Sequence, residues 1–439
     1  MSEENVEPSL GTGSIFVPKA RKNQRFINRL IHFTHSSTRA AGLMLLAAVT
    51  ALVVANTAAF EPFEAFWDTE VGFLFGGTEA SLSLNEIIND ILMAIFFLLV
   101  GLEIKYEMTV GELTNVRQAL LPIIAACGGV MFPIIIYLIF NMGNAMTGHG
   151  WGVTTATDIA FALGIMALLR DHVPNGVRVF LSTLAVADDI IAIMIIAVFY
   201  GQTPNMIWIG AAAIVTAILF IMNKLNVYSL VPYILVGVVL WYCVFCSGIH
   251  STIAGVILAF TIPTDSHIDM RSFLRWSNRK LSEASSIYDD ESHVMGQAKF
   301  IKTAESLRNV ANKVVPPAVR LEHHLYPWVN FMILPLFALT NADVNFVSGD
   351  VSAMIMSPAF FGVFLGLLLG KPIGIMLLSF VTVKTKIAVL PENVNWIHML
   401  GAAILGGVGF TMAIFVANLA FTDPDLIAAA KVGILSASF

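Results

Sequence analysis

Along this chain the polar stretches are short, and apolar runs of about 20 residues, enough to cross a bilayer as helix, recur to its end. Twelve are read, near Arg39–Phe60, Asn85–Lys105, Gln118–Phe140, Trp151–Leu169, Val177–Tyr200, Met206–Met222, Leu230–Phe245, Ser247–Ile262, Trp328–Ala342, Ala359–Thr382, Trp396–Ala420 and Pro424–Phe439. The seventh and eighth are nearly fused and are divided at "FCSGIH". Runs this long predict helices, which satisfy their own backbone in lipid. The pattern therefore predicts an all-α polytopic membrane protein of about 12 transmembrane helices. Two connecting stretches differ from the rest. In "GFLFGGTEASLSLNE" a Gly-Gly between short β-prone runs predicts a hairpin, with a plain loop as the alternative. Residues 263–326 are charged and mostly helix-compatible, with "AKFIKTAESLRNVANKVV" their clearest amphipathic piece. The chain thus divides into a basic N-terminal segment, 1–38, and spans one to eight, 39–262, with the hairpin loop at 61–84. A long linker, 263–326, and spans nine to twelve, 327–439, follow. The last run makes about 24 Å of helix against a hydrocarbon core of about 30 Å.

Composition agrees: 57% of residues are hydrophobic and 12% charged, against roughly a quarter charged in a soluble domain. The net charge of −6 says little, because in a membrane chain the placement of cations matters more than their sum. With the N-terminus inside, cytoplasmic segments hold Lys19, Arg21, Lys22, Arg25, Arg29 and Arg39, then Lys105, Arg117, Arg170, Arg178 and Lys224. The group from Arg271 to Arg320, Lys384 and Lys386 complete the set. Outside segments such as 61–84 and 341–357 hold neither Lys nor Arg. A wrong count would scatter cations on both sides, so the asymmetry predicts both termini in the cytoplasm. The N-terminal "KARKNQRFINRLIHF" lacks the apolar core and cleavage site of a signal peptide and reads as a surface-lying amphipathic segment. No basic stripe with interleaved aromatics suggests nucleic acid. Cys243 and Cys246 form a CxxC without a second pair or a His cluster, so they and Cys127 read as small packing residues.

Charged residues away from the ends of the runs are few: Asp90, Asp158, the pair Asp188–Asp189 in "STLAVADDIIAIMIIAVFYG", Lys371 in "LLLGKPIGIM" and Lys431. A charge at mid-span costs about 2.5–3.5 kcal/mol on insertion scales, so such groups face the interior and mark ion pathways. The alternative is an ion pair that only holds helices together, and adjacent acids fit it poorly, since Lys371 is the one plausible mate at their depth. Two close carboxylates in a poorly solvated site cannot both ionise cheaply, so their protons leave as a coupled pair. A hard cation that prefers oxygen ligands, Na+ or Li+, can take the protons' place. Proton and metal ion then exclude each other, which is how an exchanger works.

Two spans look interrupted. The fourth holds "GWGVTTATDIAFALG", with Thr clusters around Asp158, and the eleventh holds "GAAILGGVGFTMAIF", loosened by Gly406, Gly407 and Gly409. Interrupted spans in corresponding places of two halves point to a midplane ion site, with close helix packing as the other reading of the glycines. Half-helix N-termini bring partial positive charge that Asp158 can offset, and C-termini partial negative charge that Lys371 can offset.

"INDILMAIFFLLVGLEIK", "TDIAFALG", "ADDI", "ILVGVVLW", "SGIHSTIAGV", "LPLFALTNA", "GKPIGI" and "GGVGFTMAIF" occur in one order from about Arg39 onward. Together they resemble the NhaA-type sodium–proton antiporters, transporters from which the interrupted-span rule was itself drawn. The resemblance implies inverted-topology repeats of spans three to five and ten to twelve, with two broken helices crossing near the membrane midplane. It implies Asp189 as main cation ligand and proton carrier, and Asp188 as a second carboxylate that pairs with Lys371 in one state. Thr157 becomes a possible oxygen ligand, Asp158 a compensator of helix dipoles and Asp90 a supporting acid. "GLEIKYEM" and "RLEHHLYP" nominate Glu103, Glu107, Glu322 and His323 for a cytoplasmic pH response, and His250 of "SGIH" matches a conformation-linked histidine. The chain departs from the family at Tyr106, where an arginine often stands, and in its longer linker.

The function so implied is secondary transport, not catalysis. Cytoplasmic Na+ or Li+ is exchanged for external protons by alternating access, with electrogenic and pH-regulated turnover, in the inner membrane of a bacterium. No cofactor is implied beyond the cargo ions; lipid and a second copy joined through the outside hairpin are the implied partners. The alternative transporter, a proton-coupled carrier of another small solute, would want an Arg or aromatic anchor at depth, and Arg occurs in the spans only at their ends, as Arg39 and Arg178. An intramembrane aspartyl protease would bring its acids from separate helices, whereas Asp188 and Asp189 point about 100° apart on one helix. A channel would gain little from mid-span acids that titrate.

Overall fold

Each of the twelve apolar runs carries helix in the computed structural model, as backbone that must satisfy itself in lipid requires. The structure describes residues 29, 33–34, 36–75, 78–114, 116–144, 146–169, 173–201, 203–266, 268–346, 351–391 and 393–438. The reading of segment 1–38 as a surface-lying piece and the cation at Arg170 lie largely outside them. Among the described residues seven helices are long and apolar enough to cross a membrane. The bent pair Trp396–Gly406 and Phe410–Ala420 makes an eighth if counted as one span. The other runs carry shorter helices, Leu230–Cys246, Ile253–Thr261, Leu334–Asn341 and Pro424–Ser438. The chain is thus a mostly helical polytopic membrane protein. Its outer surface is apolar, with Val53, Ile139, Val198, Ile207 and Leu235 exposed, as a lipid-facing surface should be.

The bundle has two ends. At one, the strands Glu70–Phe75 and Thr78–Ser83 pair antiparallel with Val71 opposite Leu82; residues 76–77 between them lie outside the described set. At the other, the amphipathic linker helices Met270–Ile287 and Ala298–Val314 pack together, with the Tyr288 and Phe300 rings 5.0 Å apart. The second is the amphipathic piece singled out in the sequence, and the first lies in the stretch read there as helix-compatible. Asp269 caps it, and hydrogen bonds from Ser272, with the backbone N–H at 2.9 Å, hold the Asp269 carboxyl below the usual carboxylate range. Lys105 reaches the C-terminus of Ile253–Thr261, donating to the carbonyls of Phe260, at 2.8 Å, and Ile262, where a cation meets the negative end of the helix dipole.

Three spans contain a π-helical turn: Ile87–Leu92, Val329–Ile333 and Gly366–Gly370. The last two run up to Pro335 and Pro372, which have no N–H for the α-helical ladder, so the register widens just before them. One turn thereby ends directly before Lys371. The helix carrying Lys371 also crosses Val116–Asn141 with backbones touching. A Cβ on Gly128 would lie 2.3 Å from the Gly374 carbonyl oxygen, and one on Gly374 2.1 Å from that of Gly128. Such crossings need small residues. Gly374→Val is expected to overpack this contact by about 1–3 kcal/mol, read as a lower Tm of the purified protein; an unchanged melt would show that the crossing can relax.

Candidate functional site

Asp188 and Asp189 lie midway along the helix Asn175–Phe199 and are 1% and 4% exposed. Their helix packs beside two interrupted elements. In the first, the 3-10 turn Gly148–Thr155 passes through extended backbone at Ala156 and Asp158 before Ile159–Leu168 begins. In the second, Trp396–Gly406 stops and Phe410–Ala420 resumes at 43°. The interruptions interlock: Asp158 N donates to the Val408 carbonyl at 2.9 Å, and the Thr157 hydroxyl lies 3.0 Å from the Gly406 carbonyl oxygen.

The buried charges are paired in a definite way. Asp158 accepts from the N–H groups of Phe161, at 2.9 Å, and Thr411, at 3.2 Å, and from the Thr411 hydroxyl at 2.5 Å. One carboxylate thus meets the N-termini of both resumed helices, where the backbone donors are unpaired. Lys371, fully buried, donates to Asp188 Oδ2 at 2.7 Å, to the Thr155 carbonyl at 2.6 Å and to the Thr157 hydroxyl. Thr157 in turn donates to Asp188 Oδ2. Asp188 Oδ1 is buried without a hydrogen-bond partner among the described residues. Its neighbour is placed differently. Asp189 lines a cavity of about 290 Å³ together with Thr157, Asp158, Glu103, Glu107 and Glu322. Asp188 belongs to Lys371, and Asp158, which also lines the cavity, to two helix ends; that leaves Asp189 as the buried cavity-lining carboxylate without such a partner among the described residues. Such a group can hold a proton or a metal cation by turns; the other two cannot without first giving up a partner.

Three half-buried glutamates line the cavity as well, Glu322 from the helix Pro317–Trp328 that follows the two linker helices. The structure brings Glu103, Glu107 and Glu322 together there as the sequence nominated them, but His323 is exposed and does not line the space. Asp90 and His250 lie elsewhere, in a second cavity of about 380 Å³ at the strand end. There Asp90 accepts from the Ser251 hydroxyl at 2.8 Å, and His250 Nε2 faces the Tyr200 carbonyl at 2.5 Å. Sequence reasoning missed Thr411, Asn330 and a chain of amides in which Asn418 donates to Asn341, at 2.7 Å, and Asn341 to Asn89, at 3.0 Å. It also gave Lys431 no mate, where the structure pairs it with Asp343 at 2.9 Å. Polar side chains inside apolar runs were the available signal, and uncharged ones were passed over. Cys243 is buried and unpaired, as a packing residue would be.

The family model described as Na+/H+ antiporter 1 matches residues 31–439. The Na(+)/H(+) antiporter NhaA of Wolinella succinogenes is 42% identical over 412 residues, covering 93% of this chain and 90% of its own. That of Helicobacter pylori (strain J99) is 43% identical over 412 residues, 93% and 92% of the two chains. The Na(+)/H(+) antiporter NhaA 2 of Helicobacter hepaticus is 41% identical over 421 residues, 95% and 94%.

Proposed function

The chain belongs to the Na+/H+ antiporter 1 family, whose members exchange sodium for protons, and we propose that it does so at Asp189, with Asp188, Thr157 and Lys371 in support. It is a membrane antiporter, a transporter of Na+ and H+. The observation that carries the site is the division of labour among three buried acids: Asp188 is held by Lys371 and Asp158 by two helix ends, while Asp189 lines the cavity without such a partner among the described residues. Na+ is taken as a hard cation by carboxylate and neighbouring oxygens such as the Thr157 hydroxyl. Protons take the same carboxylate, so each cargo displaces the other.

The transport cycle is alternating access in a twelve-span bundle of inverted repeats. The lining of the cavity by Glu322, near the end of the linker where Lys and Arg gather, supports a cytoplasm-facing state with both termini inside a bacterial inner membrane. The strand end is held by contacts between helices that must part when the site turns outward: Lys431 with Asp343, Asn418 with Asn341, and His250 with the Tyr200 carbonyl. If two protons load while one Na+ leaves, net charge moves and the membrane potential helps extrude sodium. Li+ shares the ligand preference and is a second cargo. Glu103, Glu107 and Glu322 line the path that an entering cation must follow, where a change in their protonation alters its supply. The strand pair is the surface for a second copy.

Competition makes the reading testable. Na+-driven proton flux in proteoliposomes is expected to show an apparent KM for Na+ that rises about tenfold per unit of acidification for each competing proton, with saturated flux little changed. A KM flat across that series would remove the shared site.

A further inference from the structure

From Trp328 to Leu339 span nine is apolar except for Asn330, which is 6% exposed and sits inside the π-turn Val329–Ile333 near the start of the span. Its Nδ2 donates to the Tyr326 carbonyl one turn back, at 3.0 Å. No donor among the described residues reaches the amide oxygen. The oxygen is not sealed in among the buried unpartnered polar atoms, so it keeps access to the cavity that the residue lines. There a polar atom can be solvated or can meet a cation, and a Leu or Met could do neither. The side chain belongs to a cavity wall: Glu322, Tyr326, Asn330 and Leu334, spaced four apart on one helix face, all line the space that holds Asp189. Burial deepens along that wall, from half-buried Glu322 and Tyr326 to buried Asn330. Across it stand Glu103 and Glu107, also four apart. The π-turn widens the helix where the amide must turn toward the cavity.

We infer that Asn330 is a specificity-determining residue of the transport path, its amide oxygen serving as a neutral ligand that takes over part of the cation's hydration shell between the glutamates and Asp189. The inference rests on the exchange reading at Asp189. A neutral oxygen sets how tightly the cavity holds an alkali cation without adding a group that titrates. It therefore acts on sodium affinity and on the choice between Na+ and the smaller, more strongly hydrated Li+, and leaves the pH dependence of transport in place.

The test is Na+- and Li+-driven proton flux in proteoliposomes. Asn330→Leu keeps the branch at Cγ and removes the oxygen. Its apparent KM for Na+ is expected to rise by about fivefold or more, a neutral ligand's share of affinity. Saturated flux should stay within about twofold, the pH profile should stay in place and the Na+/Li+ preference should change. Asn330→Asp returns oxygen ligands and is expected to recover sodium affinity while displacing the pH profile, because it adds a titrating group. Should the leucine variant fail to fold, Asn330→Ser keeps a smaller oxygen donor and is expected to fall between wild type and the loss. A leucine or serine variant with wild-type KM and ion preference overturns the inference, as does a loss of flux that Asn330→Asp does not reverse. Wild-type protein that fails to exchange Na+ for H+ would instead overturn the reading beneath it.

Discussion

Asp189→Asn is expected to lower Na+-driven proton flux in proteoliposomes by about a hundredfold or more, which is what losing roughly 3 kcal/mol of charged ligation means for an equilibrium. The amide has nearly the shape of the carboxylate, so packing in the helix Asn175–Phe199 survives. It has no charge to hold Na+ and no proton to exchange. The buried pair of Asp188 and Lys371 is left whole at 2.7 Å, and so are the hydrogen bonds that Asp158 receives from both resumed helices. The variant should therefore keep or exceed wild-type Tm, because it removes a carboxylate from a buried position where ionisation is costly. Stabilisation of the melt by added Na+ should disappear with the flux. Full sodium-driven flux from this variant would sink the assignment of Asp189, whatever became of the rest of the site.

Lys371→Met should act on the opposite quantity. It leaves Asp188 as a buried carboxylate whose second oxygen already lacks a partner among the described residues, and it strips the donor from the Thr155 carbonyl. Breaking a buried ion pair from one side costs about 3–5 kcal/mol. A large fall in Tm is expected, with loss of flux following from the damaged site. Asp188→Asn in the same chain removes the orphaned charge, so the double variant should recover much of the stability. The recovery, compared with both single variants, is the coupling energy of the pair. If the two single effects simply add, the contact is incidental and Lys371 owes its place to the Gly128–Gly374 crossing and the π-turn before it.

How far the sequence could be read depended on the kind of force at work. The apolar runs, the intramembrane acids and Lys371 stood out because burial in lipid is a one-dimensional constraint on a stretch of chain. The breaks around Asp158 and Gly406–Gly409 were visible as local departures from helix-forming sequence. The strand pair was visible in the β-prone runs on either side of Gly76–Gly77. Asn330, Thr411 and the amide chain from Asn89 through Asn341 to Asn418 were not visible, since an uncharged polar residue costs too little in a helix to announce itself. His323 was carried in by its motif and stands outside the cavity, because its place on the helix face, not its neighbour in sequence, decides what it lines.

The sequence by itself determined that this chain crosses a membrane many times, which end carries the cations, and which few ionisable groups are taken into the interior. Those follow from solvation, which each segment meets alone. Only the tertiary structure decided which acid keeps which partner. Neighbours on a helix point about 100° apart, so Asp188 meets Lys371 from span ten and Asp189 meets open space. Pairing of charges is set by distances between helices, and no residue's identity carries that distance.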